Sequence, residues 1–217
     1  MLKKCFLPAL LSLIVIPRLG LAESAVLADS QSLLSAFASY SDLRITSVRQ
    51  SLEVLASTTE VKSGRWETMK GLLNTYQKSD DGLLVWYARP DGTYYTPRKG
   101  LEDVKLSDRS YFPDLLAGRS VVGALVVSKS TGQRSAVISV PVKNGVEVAG
   151  AVGASLFLDK LAEEIDSTLA LRPDASFFAL APSGLTTLHR KVDRHFLDPR
   201  ELGSETLKKA ANEMLSK

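Results

Sequence analysis

The stretch that decides the fold runs from Leu83 to Leu158. It reads LLVWYARPDGTYY (83–95), then LSDRSYFPDLLAGRS (106–120), then VVGALVVSKSTGQRSAVISVPVKNGVEVAGAVGASLFL (121–158). Runs rich in β-branched and aromatic residues alternate with turn signals, the signature of short strands. The first strand is predicted over Leu83–Arg89. Pro90-Asp91-Gly92 then turns the chain, because proline presets one backbone angle and glycine accepts a positive φ. A second strand is expected over Thr93–Thr96, after which Pro97 to Ser107 reads as irregular. Strands three, four and five are expected over Val121–Ser128, Arg134–Val142 and Val146–Phe157. Ser130-Thr131-Gly132 and Lys143-Asn144-Gly145 join them, the latter being the strongest hairpin signal in the chain. Links this tight make an antiparallel meander. Gly150 and Gly153 in strand five cost stability unless a helix or a ligand packs close to them.

The insertion Ser107–Ala117 interrupts this pattern. Ser110 reads as the cap of a short helix over Tyr111–Ala117, with Pro113 in its first turn and Gly118 as its stop. The insertion is expected to fold over one side of the sheet and close a small pocket. Its single arginine, Arg109, stands beside Tyr111 and Phe112.

Upstream, Glu23 to Lys62 contains neither Gly nor Pro. Leu34, Phe37, Ile45, Val48, Leu52 and Leu55 form one apolar stripe of a long amphipathic helix. Its length leaves one end free to pair with a second copy, so a homodimer through this helix is one expectation. Ser63-Gly64 breaks the helix, and a shorter one comes next over Arg65–Lys78. Downstream, a helix over Lys160–Ala170 is expected, capped by Asp159. After Arg172-Pro173-Asp174 come a hairpin, Ser176–Ala181 and Leu185–Arg190, and a last helix over Ser204–Ser216. This tail has too little mass for its own core and is expected to pack on the main sheet.

The chain has 217 residues, 45% hydrophobic and 24% charged, as in an ordinary soluble domain. Its first residues read as a signal peptide. Lys3 and Lys4 are the charged start, Cys5–Pro17 the apolar core, and Gly20-Leu21-Ala22 the site for cleavage after Ala22. The rival reading is a retained anchor, but the apolar run is shorter than the roughly 20 residues needed to span a bilayer. Export to the periplasm or beyond is implied by the leader. The whole chain has 27 bases and 24 acids. The leader carries Lys3, Lys4 and Arg18 and no acid, so the mature chain is balanced in charge. That removes the electrostatic case for a nucleic-acid partner. The only cysteine, Cys5, lies in the leader, so no disulfide is expected.

The order of elements, with the strings WYARPDGTYY, SDRSYFPDLLAG, VVSKSTGQ, VPVKNG and VAGAVGASLFLDKL, resembles the Cache family. These are extracytoplasmic PAS-like sensor modules of chemoreceptors, histidine kinases and diguanylate cyclases. The resemblance covers roughly 25–171, and the hairpin at 176–190 resembles the start of a second module. It implies an α+β fold: a long N-terminal helix packed on a PAS-like antiparallel sheet of five to six strands, with a C-terminal hairpin and helix. The implied organisation is a signal peptide (1–22), a Cache-type sensor domain (23–171) and a hairpin-helix appendage (172–217). The resemblance also implies a ligand pocket that uses Arg109, Tyr111 and Phe112. Family members that bind amino acids hold the ammonium with acidic residues at positions that match Ser128 and Ser155 here. Neither is acidic, which argues against an amino acid, because a buried cation without a carboxylate is costly. Arg109 can grip a carboxylate bidentately, with hydroxyls of Tyr111, Ser128, Ser155 and Tyr87 as further donors, so a small organic acid is the expected ligand. The expected partner is a membrane-bound kinase, cyclase or chemoreceptor. The alternative is an interaction protein with a degenerate pocket, acting through its terminal helices.

No enzyme, cofactor or metal is expected. His189 and His195 lie in a polar, loop-like tract that reads as solvated surface. Ser183 sits in a Pro-Ser-Gly turn rather than a nucleophile elbow, and no phosphate loop or dinucleotide fingerprint occurs.

Overall fold

The computed structural model describes residues 10–14, 23–172 and 176–216, with side chains described from Asp29 onward. The charged start of the leader, the cleavage site after Ala22 and the turn at Pro173-Asp174 lie outside the described residues. Among the described residues, no helix is long and apolar enough to cross a membrane. The chain divides into two compact units, one made of Arg44–Phe157 and the other of the residues up to Leu43 and from Leu158 onward. Strand β1 is Leu10–Ile14, and helix α1 runs unbroken over Glu23–Ser57.

Within Arg44–Phe157, α1 buries Ile45, Val48, Leu52 and Leu55, spaced by three and four residues as one helical stripe requires. Thr58 ends it: its backbone is extended and its Oγ1 accepts from Val61 N, which starts the short α2 (Thr59–Lys62). Helix α3 is Trp66–Ser79. A six-stranded antiparallel sheet then forms from β2 (Leu83–Ala88), β3 (Thr93–Thr96), β4 (Gly100–Lys105), β5 (Val121–Val127), β6 (Arg134–Asn144) and β7 (Glu147–Phe157). The strand order is β4-β3-β2-β7-β6-β5. The short α4 (Phe112–Leu116) comes from the insertion.

Three local expectations are corrected. The stretch read as irregular after Thr96 contains β4, an edge strand joined to β3 by a three-residue loop that leads into Gly100 at φ 83°. Tyr111 rather than Ser110 stands at the start of α4. The close neighbours of Gly150 and Gly153 are neither helix nor ligand but side chains and backbone of the adjoining β2. In β5, Gly123 at φ 79° forms a bulge where the register against β6 shifts.

Register fixes which side chains share a face. Trp86 stands opposite Gly153, and Gly153 opposite Ser139; Leu84 stands opposite Ser155, and Ser155 opposite Val137. One buried cluster joins Trp86, Ala88, Tyr94, Val137 and Ala151 of the sheet to Tyr111, Phe112 and Leu115 of the insertion. This is the insertion face. By the two-residue period of a strand, Leu83, Val85 and Tyr87 lie on the other face.

In the second unit, helix α5 (Leu158–Leu169) starts at Leu158, so Asp159 lies inside its first turn. Strands β8 (Ser176–Leu180) and β9 (Thr186–His189) form a hairpin, and β1 pairs antiparallel with β8 to give the order β1-β8-β9. Helix α6 (Glu205–Leu215) buries Ala211 and Met214 against Phe178 and Leu180. Phe37 of α1 meets Phe177 at 4.7 Å between ring centroids.

The two histidines are not solvated surface, although Lys191, Val192 and Asp193 between them are exposed. Phe196 N donates to Thr186 O at 2.7 Å and Thr186 N to Leu197 O at 2.9 Å, which lays the tract along β9. His195 becomes fully buried and bonds through Nε2 to the His189 carbonyl at 3.0 Å. His189 stacks on Phe178, and its Nδ1 accepts from Lys191 N at 2.7 Å, a role open only to the neutral ring. Burial, helped by the nearby His195 and Arg194, pulls the His189 pKa down to about 4 from about 6.5. Between those values the unfolded chain binds a proton that the folded chain refuses. This contribution to stability is therefore complete above pH 6.5 and is lost as pH falls toward 4. With allowance for partial exposure it amounts to about 1 kcal/mol. Thermal unfolding at pH 7 and pH 4.5 should show a smaller acid-induced drop in His189→Asn than in the wild type. Equal drops would rule out this histidine as the acid-sensitive group.

Candidate ligand-binding site

The insertion is held on its face of the sheet by apolar contact and by a few charges. Tyr111 is 7% exposed and Phe112 3% exposed, both within the cluster around Trp86. Burial pushes the Tyr111 phenol up to about 12, so it stays a neutral donor. Arg109 is half-buried. Its Nη2 donates to Val127 O at 2.7 Å, and its Nε is buried with no hydrogen-bond partner. Asp108 pairs with Lys129 Nζ at 2.5 Å, and that amine also donates to the Lys105 carbonyl at 2.7 Å. The hydrogen bond from Lys129 holds the Asp108 carboxyl below the usual carboxylate range.

A cavity of about 300 Å³ opens on the insertion face. Its wall comes from Leu84 on β2, Thr96 on β3, the β3–β4 loop and β4 itself, and from Lys129 and Ser130 in the β5–β6 turn. Tyr94 Oη lies 3.0 Å from Ser130 Oγ, so a fixed hydroxyl pair borders the cavity. Arg98, Lys99 and Lys129 give it positive charge, while Glu102 and Asp103 give it negative charge.

The six residues singled out from sequence are not all brought together: Tyr111 and Phe112 share one cluster, while Tyr87 lies elsewhere. Tyr87 is on the opposite face of the sheet: its hydroxyl donates to Ala149 O at 3.3 Å and lies 3.5 Å from where a Cβ on Gly64 would stand. It cannot reach a ligand under the insertion. Ser128 is buried and its Oγ accepts from Thr131 N at 3.3 Å, which stabilises the β5–β6 turn. Ser155 is buried on the insertion face, directly across from the cavity-lining Leu84. Tyr111 and Phe112 are core, and Arg109 is tied to β5 through Val127.

Sequence reasoning missed Thr96, Lys99 and Glu102. The signal available was the string TPRKGLED, a three-residue loop ahead of a strand, in which Thr96 and Glu102 flank the turn. Thr96 Oγ1 donates to Glu102 Oε1 at 2.7 Å across the hairpin.

No family model and no curated protein matches the chain. Among solved structures it is similar to the sensor domain of the V. cholerae histidine kinase DctB, at 14% identity and a TM-score of 0.67, over 89% of this chain and 78% of that one. It is also similar to the ligand-binding domain of the Pseudomonas aeruginosa PAO1 amino acid chemoreceptor PctC in complex with GABA, at 17% identity and 0.65, over 84% and 83%. A third is the sensory domain of the Campylobacter jejuni chemoreceptor Tlp3 with isoleucine bound, at 16% identity and 0.60, over 79% and 73%. All three are named as sensory or ligand-binding domains, and the chain has their fold.

Proposed function

We propose that this chain is an exported sensor domain that binds a small organic carboxylate and passes its state to a membrane-bound kinase, cyclase or chemoreceptor. The observation that carries this reading is the cavity on the insertion face, with Arg98, Lys99 and Lys129 on its wall. The fold it shares with sensor domains supports it. In this reading the leader is removed after Ala22. Arg109 does not line this cavity; in this reading it meets the ligand from the insertion side, because its Nε is a buried donor with an unmet hydrogen bond. A carboxylate there gains a charge-assisted pair of about 1.5–3 kcal/mol. A thermal-shift screen with small organic acids should therefore raise the melting temperature by mass action. In calorimetric titration with the best acid, Arg109→Ala should bind it about tenfold or more weakly. Unchanged affinity in that variant would remove Arg109 from the site.

A second reading, an interaction protein without a ligand, is favoured by one observation. Trp86, Tyr94, Tyr111, Phe112 and Leu115 fill the space between sheet and insertion as ordinary core. Such a protein would act through its helices, and α1 exposes Leu43 and Val54 at 67% and 66%. No response to any small molecule in the screen, together with a dimer in sedimentation, would favour this reading.

A further inference from the structure

The second unit has a strand whose outer edge is filled by the leader. Strand β8 lies between β9 and β1, and β1 falls inside the apolar core of the segment read as a signal peptide. Their pairing is antiparallel over five residues, from Leu10 opposite Leu180 to Ile14 opposite Ser176. On the other side of β8, the Phe177 and Ala179 carbonyls accept from Arg190 N and Thr187 Oγ1, and Ala181 N donates to Leu185 O. Main-chain groups alternate sides along a strand, so those of Ser176, Phe178 and Leu180 face β1. Cleavage after Ala22 takes β1 away and leaves these N–H and C=O groups unpaired. The edge lacks the usual defences, since Ser-Phe-Phe-Ala-Leu has no charge and no proline. Phe177 to Leu180 are at most 4% exposed with β1 in place, and α6 neighbours the place it vacates.

We propose that in the mature protein the β8 strand of a second copy takes the place of β1, joining two sheets into one of order β9-β8-β8-β9. This rests on the reading that the leader is removed. An antiparallel pair centred on Phe178 sets Ser176 of one copy opposite Leu180 of the other, and the large Phe177 opposite the small Ala179. All five residues pair, as many as with β1. The two-fold axis stands perpendicular to the sheet, so both α6 helices stay on one face of it. The occupant is a second copy because β8 is itself an apolar strand of the required length and pattern. The far edge of β9 cannot extend the sheet, because Thr186 bonds there to Phe196 and Leu197. The contact therefore closes at two copies instead of growing into a fibre.

The test uses the protein recovered after export, with its N-terminus read by intact mass. Sedimentation should show a dimer. Hydrogen exchange should show the Phe178 amide gaining protection as protein concentration rises. The Ala181 amide, bonded to Leu185 within one chain, should keep the same protection throughout. Ser176→Pro removes one edge N–H per copy at the first residue of the strand, where proline is tolerated. It should weaken the dimer about tenfold or more, with Ala181 protection showing that the hairpin remains folded. A monomer at every concentration, a dimer whose Phe178 amide exchanges freely, or one that Ser176→Pro leaves as strong overturns this inference alone. A monomer that binds a lysine-flanked peptide of Leu10–Ile14 also overturns it, and assigns the edge to a strand of another protein. A leader still attached to the exported chain overturns it together with the cleavage reading.

Discussion

Gly153→Ala should destabilise the protein by about 3 kcal/mol, one of the largest losses expected from adding a single methyl group. Gly153 sits in β7 between Trp86 of β2 and Ser139 of β6. A Cβ there would lie 2.3 Å from Trp86 Cζ2 and 2.6 Å from Cε2 and Cη2, well inside van der Waals contact. The indole cannot swing away. It is 3% exposed and packed within the cluster that includes Tyr94, Tyr111, Phe112 and Leu115. Either the ring or the strand must shift, and both belong to the insertion face. Urea denaturation should show the lower midpoint. Combining the change with Trp86→Phe should cost at least about 1 kcal/mol less than the sum of the single changes, because the smaller ring removes the clash. A midpoint within error of the wild type would mean that the indole does not cover Gly153.

Replacing Gln77 by Leu should cost about as much, by a different route. Strand β3 pairs with β2 only at Tyr87 and Ala88, so the outer edge of Leu83–Val85 has no neighbouring strand. The side chain of Gln77, at the end of α3, fills that place. Its Nε2 donates to Leu83 O at 2.7 Å and its Oε1 accepts from Val85 N at 2.8 Å. One side-chain amide thus makes the two bonds that a strand residue would make. Val85 is fully buried, so an unmet N–H there incurs the full penalty of about 1–3 kcal/mol, and the Leu83 carbonyl adds its own. Hydrogen exchange should show the Val85 amide losing most of its protection in Gln77→Leu. Gln77→Glu keeps the acceptor and loses the donor, so it should fall between the two. Full protection at Val85 in the leucine variant would show that the edge is closed by something other than this amide.

The strands and tight turns were legible because proline, glycine and asparagine mark them for local reasons, as at Pro90-Asp91-Gly92 and Asn144-Gly145. Strand β4 was not, because it lies at the edge with most of its residues exposed, so GLEDVK shows no apolar alternation. The face of Tyr87 was also illegible. All six residues of β2 are buried, so no polar partner in the strand marks which side is which. The bond between Thr96 and Glu102 depends on how the β3–β4 hairpin closes, and the burial of His195 on a loop returning to β9. Neither leaves a periodic trace. Ser128 and Ser155 were singled out by their match to ligand-holding positions of the family they resemble, and a string match does not reveal that the Ser128 hydroxyl serves the β5–β6 turn.

The hairpin that forms one wall of the cavity is also the outermost strand pair of the sheet. A strand that must leave a cavity open to solutes cannot be roofed by a helix, which is the usual defence against sheets joining edge to edge. Here Lys99, Glu102, Asp103 and Lys105 line that rim with alternating patches of charge. Access to the cavity and resistance to polymerisation thus fall on the same few side chains. Exchanging these charges for apolar residues to dry the rim would carry a colloidal cost.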